Sequence, residues 1–219
     1  MQTSGPRPTP RRLPRGRHAL SRSEVERVHR DRLCGAMADA MAENGYVGTS
    51  VEDVLKRARV SRQSFYGLFS SKLDCFMAAF DQAGEFLRLH LQDTAESATG
   101  GDPAERFERA FTAYLETLAS APGYARLFLV EVYAAGPEAI RRRSEMQQVI
   151  AEGLAGLMGV TGQTARFACQ IVVSAVSTMV TPAVAVGDMD ALRAVGPPVI
   201  DHVRLLLASG VLNPHPPAT

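Results

Sequence analysis

The residues with most chemistry to offer lie in "VSRQSFYGLFSSK", Val60 to Lys72, where three aromatics alternate with small hydroxyls and two cations. Arg62 can chelate O6 and N7 of guanine, and Gln63 can pair with N6 and N7 of adenine. Ser61 and Ser64 flank them with short hydroxyls, and Tyr66 and Lys72 suit phosphate oxygens. Thr49 and Ser50 stand at the start of the preceding helix, and Ser71 at the start of the following one. Helix N-termini offer free backbone N–H donors to an anion. Phe65, Leu68 and Phe69 instead form an apolar stripe that belongs in a core. The stretch therefore reads as aromatics that hold a fold and a polar run that reads a nucleic acid. The same short amphipathic helices also occur in folds without a DNA partner.

Catalytic chemistry finds no support. The five histidines, at 18, 29, 90, 202 and 215, show no metal-ligand spacing, and no Gly-rich phosphate loop or nucleophile elbow is present. No enzyme activity, metal or cofactor is expected. Cys34, Cys75 and Cys169 are odd in number and far apart, which fits reduced thiols in a cytoplasm.

The elements that must position these residues are all helices. Sustained period-2 alternation is missing, whereas helix starts and stops recur. Ser23 with Glu26 has capping-box spacing and opens a helix that Asn44-Gly45 ends; Thr49 with Glu52 repeats the box before a second, ending near Ala58. Ser61 opens a third through Phe69, and Ser71 with Asp74 caps a long fourth. Asp102-Pro103-x-Glu105 predicts a helix from Pro103 to about Ser120. Pro122-Gly123, Gly136-Pro137, Gly159, Gly187 and Gly196-Pro197-Pro198 then delimit four more helices and one short piece. Segments 50–69 fit two helices joined by a tight turn.

The near-neutral total charge conceals an asymmetry: residues 1–74 carry 14 Lys/Arg against 8 Asp/Glu, and residues 75–219 carry 10 against 15. The excess sits in residues 1–32, with nine arginines and three acids, so the N-terminus should meet an anionic partner. Residues 1–22, rich in Pro and Arg, are expected to be a disordered basic arm, 23–74 the helix-turn-helix domain, 75–212 a second helical domain, and 213–219 a flexible tail.

In that second domain "FACQIVVSAVSTMVTPAV", Phe167 to Val184, contains no charged residue. Its polar residues and unflanked ends oppose a membrane span; a helix apolar on nearly every side also results when one face packs internally and the other against a second subunit. Ala168, Ala175 and Thr178 would admit a partner helix, with Val199, Val203, Leu206 and Leu207 of the last helix in the same interface. Phe107, Phe111 and Tyr114, at i, i+4 and i+7, with Phe128 and Val132, are candidate effector-lining residues or plain core. Glu131 is the one charge in "LFLVEVYAA" and needs a partner if buried. Either it pairs with Arg166 or one of Arg141 to Arg143, or it anchors an effector.

Residues 28–80, and above all "AENGYVGTSVEDVLKRARVSRQSFYGLFSSKLDCFMAAF", resemble the DNA-binding domain of the TetR family of bacterial transcriptional regulators. The resemblance rests on Gly45-Tyr46, Thr49-Ser50-Val51, Val60-Ser61, Phe65-Tyr66, Phe69 and Ser71-Lys72. It implies an all-α protein: an N-terminal three-helix helix-turn-helix domain followed by an α-helical ligand-binding and dimerisation domain. It also implies a homodimer on a near-palindromic operator in double-stranded DNA, acting as a repressor released by a small, largely apolar effector. An effector-independent or architectural DNA-binding protein is the alternative. One departure concerns backbone strain: Arg59 stands where the family often has Gly, at a turn position needing φ > 0, at a cost of about 1 kcal/mol.

Overall fold

The computed structural model describes residues 21–96 and 102–212, all helices and short connections. The basic arm up to Leu20, the loop 97–101 and the tail after Leu212 lie outside the described residues. The helices are α1 (Arg22–Gly48), α2 (Val51–Ala58), α3 (Arg62–Tyr66), α4 (Lys72–Glu96), α5 (Pro103–Ser120), α6 (Pro122–Arg126), a π turn (Leu127–Glu131), α7 (Val132–Ala135), α8 (Pro137–Met158), α9 (Gln163–Val186), α10 (Met189–Ala194) and α11 (Gly196–Ala208).

Two of the expected capping boxes shift in register. Ser21, not Ser23, caps α1: its Oγ accepts the Glu24 N–H at 3.2 Å and Glu24 accepts the Ser21 N–H at 2.7 Å. This choice leaves Glu26 to pair with Arg22 at 2.9 Å. Ser50 with Asp53 replaces Thr49 with Glu52, the Ser50 N–H donating to Asp53 at 2.9 Å. Thr49 is buried instead, and its hydroxyl donates to the Gly45 carbonyl at 2.7 Å. The predicted stop of the first helix is real: Gly45 has φ 67° and ψ 175°, a conformation that breaks α1 and that a Cβ would oppose. Asp102 caps α5 as its sequence requires.

Leu33, Met37 and Met41 of α1 are fully buried, with Phe65, Phe69, Phe76 and Phe80 packed into the same core. The proposed boundary at 74/75 falls inside α4, so one continuous helix serves both domains. Helix α5 packs against α4, α8 and α11, and α8 lies along α9. The domains also meet where α6 crosses α1. A Cβ on Gly123 would sit 3.0 Å from the Ala38 carbonyl oxygen, so the two helices approach with no side chain between them.

Helix α9 is long and apolar enough to cross a membrane, with mean hydropathy 1.7 over its most apolar window, and it divides into two faces. Ala168, Cys169, Val172, Val176 and Val180 are buried in the chain's own core, while Phe167, Ile171, Met179 and Val186 are exposed. Ala168 thus faces inward, contrary to expectation, whereas Ala175 and Thr178 lie on the exposed side. On α11, Val199 and Val203 are internal and Leu205 is the exposed apolar residue, because the helix turns its 199/203 ridge onto the core.

Candidate nucleic-acid interface and apolar cleft

Helix α3 is one and a half turns long, and its N-cap fixes it. The Ser61 hydroxyl accepts the Ser64 N–H at 3.0 Å and lies 2.9 Å from the Ser64 hydroxyl. Phe65 is buried, with its ring 5.6 Å from Phe69, and this points the opposite edge of α3 to solvent. Ser61, Arg62, Gln63 and Tyr66 are exposed on that edge and Ser64 is half-buried. Arg62 pairs with Glu52 of α2 at 2.9 Å, both side chains at least half exposed. An exposed pair of this kind contributes at most about 1 kcal/mol, so the guanidinium is readily exchanged onto another acceptor. Arg59 ends α2 in the left-handed region, φ 54° and ψ 46°, as its place in the turn requires. It is exposed, adding a cation beside α3 that its reading as a strained turn residue passes over.

Two of the expected phosphate contacts turn inward. Thr49 is 2% exposed and its hydroxyl is engaged by backbone carbonyls. Lys72 donates to the carbonyls of Tyr46 and Thr49 at 2.8 and 3.0 Å, and its ammonium lies 4.1 Å from the Tyr46 ring centroid. Partial burial pushes its pKa down. Lys72 is a clasp between the start of α4 and the α1–α2 corner.

The other side of that corner is held by Glu131. Its side chain is 8% exposed, one oxygen accepting the Tyr46 N–H at 2.7 Å and the other the Arg126 Nε–H at 3.0 Å. The partner is therefore neither Arg166, which pairs with Glu152, nor Arg141, Arg142 or Arg143. Arg126 also donates from Nη1 to the Ala185 carbonyl at 2.6 Å, in the last turn of α9 where helix carbonyls lack partners. One carboxylate thus ties the α1–α2 corner to the π turn, and its arginine continues the tie to α9.

An apolar cleft of about 20 Å³, room for one water molecule, opens between α4, α5 and α6. It is lined by Ala83, Phe86 and Leu87 of α4, Thr117 and Leu118 of α5, and Tyr124 and Phe128 on either side of Arg126. Of the candidate lining residues only Phe128 borders it, stacked at 4.8 Å on Phe80. Phe107 and Phe111 are buried and stacked on each other at 5.4 Å, Val132 is fully buried, and Tyr114 is half-buried beside Phe111. Glu131 lies at the domain junction, outside the cleft lining. Among the described residues no group of three or more His, Cys, Asp or Glu side chains could hold a metal.

Comparison with known proteins bears on both halves. Residues 36–79 match the family model of bacterial regulatory proteins of the tetR family. No curated protein matches the chain. Among solved structures, the fatty acid degradation regulator FadR from Bacillus halodurans is 22% identical with a TM-score of 0.68, over 83% of this chain and 95% of that one. FadR from Bacillus subtilis, in complex with stearoyl-CoA, is 20% identical with a TM-score of 0.64, over 82% and 98%. A transcriptional regulator from Rhodococcus sp. Rha1 is 24% identical with a TM-score of 0.59, over 82% and 96%. The helix-turn-helix with its exposed α3 edge and the match over 36–79 lead to one assignment: this N-terminal segment is similar to the DNA-binding part of the tetR-family regulatory proteins, and the chain shares the two-domain helical fold of these solved structures.

Proposed function

We propose that the protein is a sequence-specific repressor that binds a near-palindromic operator as a homodimer and leaves it when a small, largely apolar effector enters and widens the cleft. The observation that carries this reading is structural sharing: α4 and the α6–π segment line the cleft, and the same elements grip the DNA-reading corner through Lys72 and Glu131. An effector that separates α4 from α6 has to disturb one or both ties, which gives it different contacts in the two states.

Base contacts fall to Arg62 and Gln63, with Ser61, Ser64 and Tyr66 on the same edge and Ser50 at the N-terminus of α2 presented to phosphate. One α3 edge reads too few base pairs alone, and the exposed Phe167–Ile171–Met179 face of α9 offers the surface for a second copy. Two recognition helices would lie roughly 34 Å, or a multiple, apart along one side of the duplex. The FadR structure that holds stearoyl-CoA supports an apolar ligand for this fold. Effector-independent binding is the second reading, favoured by the small cleft volume. Selection of duplexes from a random pool by the full chain tests the proposal. Recovered sites should be inverted repeats, and Gln63→Ala should weaken and relax the selected sequence; recovery without any shared motif overturns it.

A further inference from the structure

Arg143 is a buried cation without a buried anion. It is 9% exposed, and its hydrogen-bond partners are both neutral: the Ser177 hydroxyl at 2.6 Å and the Gln147 amide oxygen at 3.3 Å. Its Nε is buried and has no acceptor. Its guanidinium carbon lies 5.2 Å from the Tyr133 ring centroid, and among the described residues it forms no ion pair with a carboxylate. The adjacent arginines 141 and 142 are both paired, with Glu145 and Asp81. Charges at this depth are ordinarily paired or coordinated, so the site is short of one anion.

Its position relative to the cleft identifies the anion's carrier. Tyr114, Thr117, Leu118 and Ala121 fall at i, i+3, i+4 and i+7 on one face of α5; the last three line the cleft. Tyr114 continues that face on α5, which packs against α8, the helix that carries Arg143. From Ala121 to Tyr114 the helix rises about 10 Å. Resting on the effector reading above, we propose that the effector is an aliphatic or aromatic monocarboxylate, its apolar body along this α5 face and its carboxylate on the Arg143 guanidinium. A monoanion neutralises the buried cation, whereas a phosphate monoester, at close to two negative charges, would leave an excess charge buried. The ion pair adds to the two neutral hydrogen bonds already in place and takes up the free Nε.

Calorimetric titration of the full-length protein, without DNA, with decanoate, decanol and decanoyl-CoA reads the head group directly. The wild-type chain should prefer decanoate over decanol by about 10- to 100-fold, the worth of one charge-assisted pair. Arg143→Met should abolish that preference and Arg143→Lys retain part of it. Because the wild-type preference is read without any variant, a poorly folding variant leaves the test standing. Equal binding of decanoate and decanol, tighter binding of decanoyl-CoA, or no binding of decanoate overturns the proposal. So does an Arg143→Met protein whose dimer dissociates while its ligand preference is unchanged, since a partner carboxylate would then be the missing anion. Operator affinity measured with and without decanoate separates the underlying reading: Arg143-dependent binding that leaves operator affinity untouched establishes the site and ends the release mechanism.

Discussion

Glu131→Gln tests the junction most directly, because the amide keeps the shape of the carboxylate and changes only what it can accept. The carboxylate accepts two N–H donors, from Tyr46 at 2.7 Å and from Arg126 at 3.0 Å. An amide offers one oxygen and one NH2. Whichever way it turns, one N–H meets another, so one hydrogen bond to a charged group is lost, at about 1.5–3 kcal/mol. Breaking a fully buried pair costs about 3–5 kcal/mol, but Arg126 is 29% exposed and regains water, which places the total at about 2–3 kcal/mol. At about 2–4 °C per kcal/mol for a chain of this size, the melting temperature should fall by roughly 4–12 °C. Urea denaturation of the single variants Glu131→Gln and Arg126→Met and of the double variant should show non-additivity above about 0.5 kcal/mol. Operator affinity should fall with Glu131→Gln beyond the loss of folded protein, because the Tyr46 N–H belongs to the corner that carries α2. Stability within 0.5 kcal/mol of wild type, or strict additivity with Arg126→Met, would refute the reasoning.

Arg59→Gly removes a side chain held at φ 54°; relief of about 1–2 kcal/mol, less about 0.5–1 kcal/mol for the freer unfolded chain, should leave a stabilisation near 0.5–1 kcal/mol in urea melts. Gln63→Ala should cost about 1–3 kcal/mol on the selected operator and less on random duplex, by fluorescence anisotropy at fixed salt. Phe167→Glu with Ile171→Glu places two charges on the exposed α9 face and should give a monomer by light scattering at micromolar concentration, with a fold unchanged by circular dichroism. Burial pushes the Cys34 thiol up to about 12 and raises Cys75 and Cys169 as well, so Cys34 stays protonated from pH 7 to 9. A thiol-specific reagent should label the native protein slowly throughout that window and all three cysteines after unfolding.

Much of this architecture was legible because its signals are local. Asp102-Pro103-x-Glu105 specifies a helix start within four residues, and Gly45, Gly159 and Gly187 mark helix ends where φ is positive. Capping boxes were less certain because S/T-x-x-D/E repeats in overlapping registers at both α1 and α2, and the winner depends on which side chain the core claims. Thr49 went inward, so Ser50 took the cap. The partner of Glu131 could not be read. In an α-helix, residues five apart diverge by about 140°, which hides Arg126 from it. The π turn over Leu127–Glu131 closes i→i+5 and brings the two together, and no periodicity announces such a turn. Tyr46 lies 85 residues away in sequence. The aromatic stripe of α5 is ambiguous for a different reason: core and cleft demand the same side chains, and only packing sorts Phe111 from Phe128.

The bare crossing of α6 over α1 at Gly123 has an evolutionary consequence. Because backbone meets backbone at Ala38, this one crossing, beside the Glu131 tie, depends on a missing side chain and not on a complementary pair. Residues beside it on α6, such as the cleft-lining Tyr124, can then change without anything in the crossing itself having to be re-matched. On the proposed function, a lineage could retune the cleft while this crossing stays fixed, with a substitution at Gly123 closed to it.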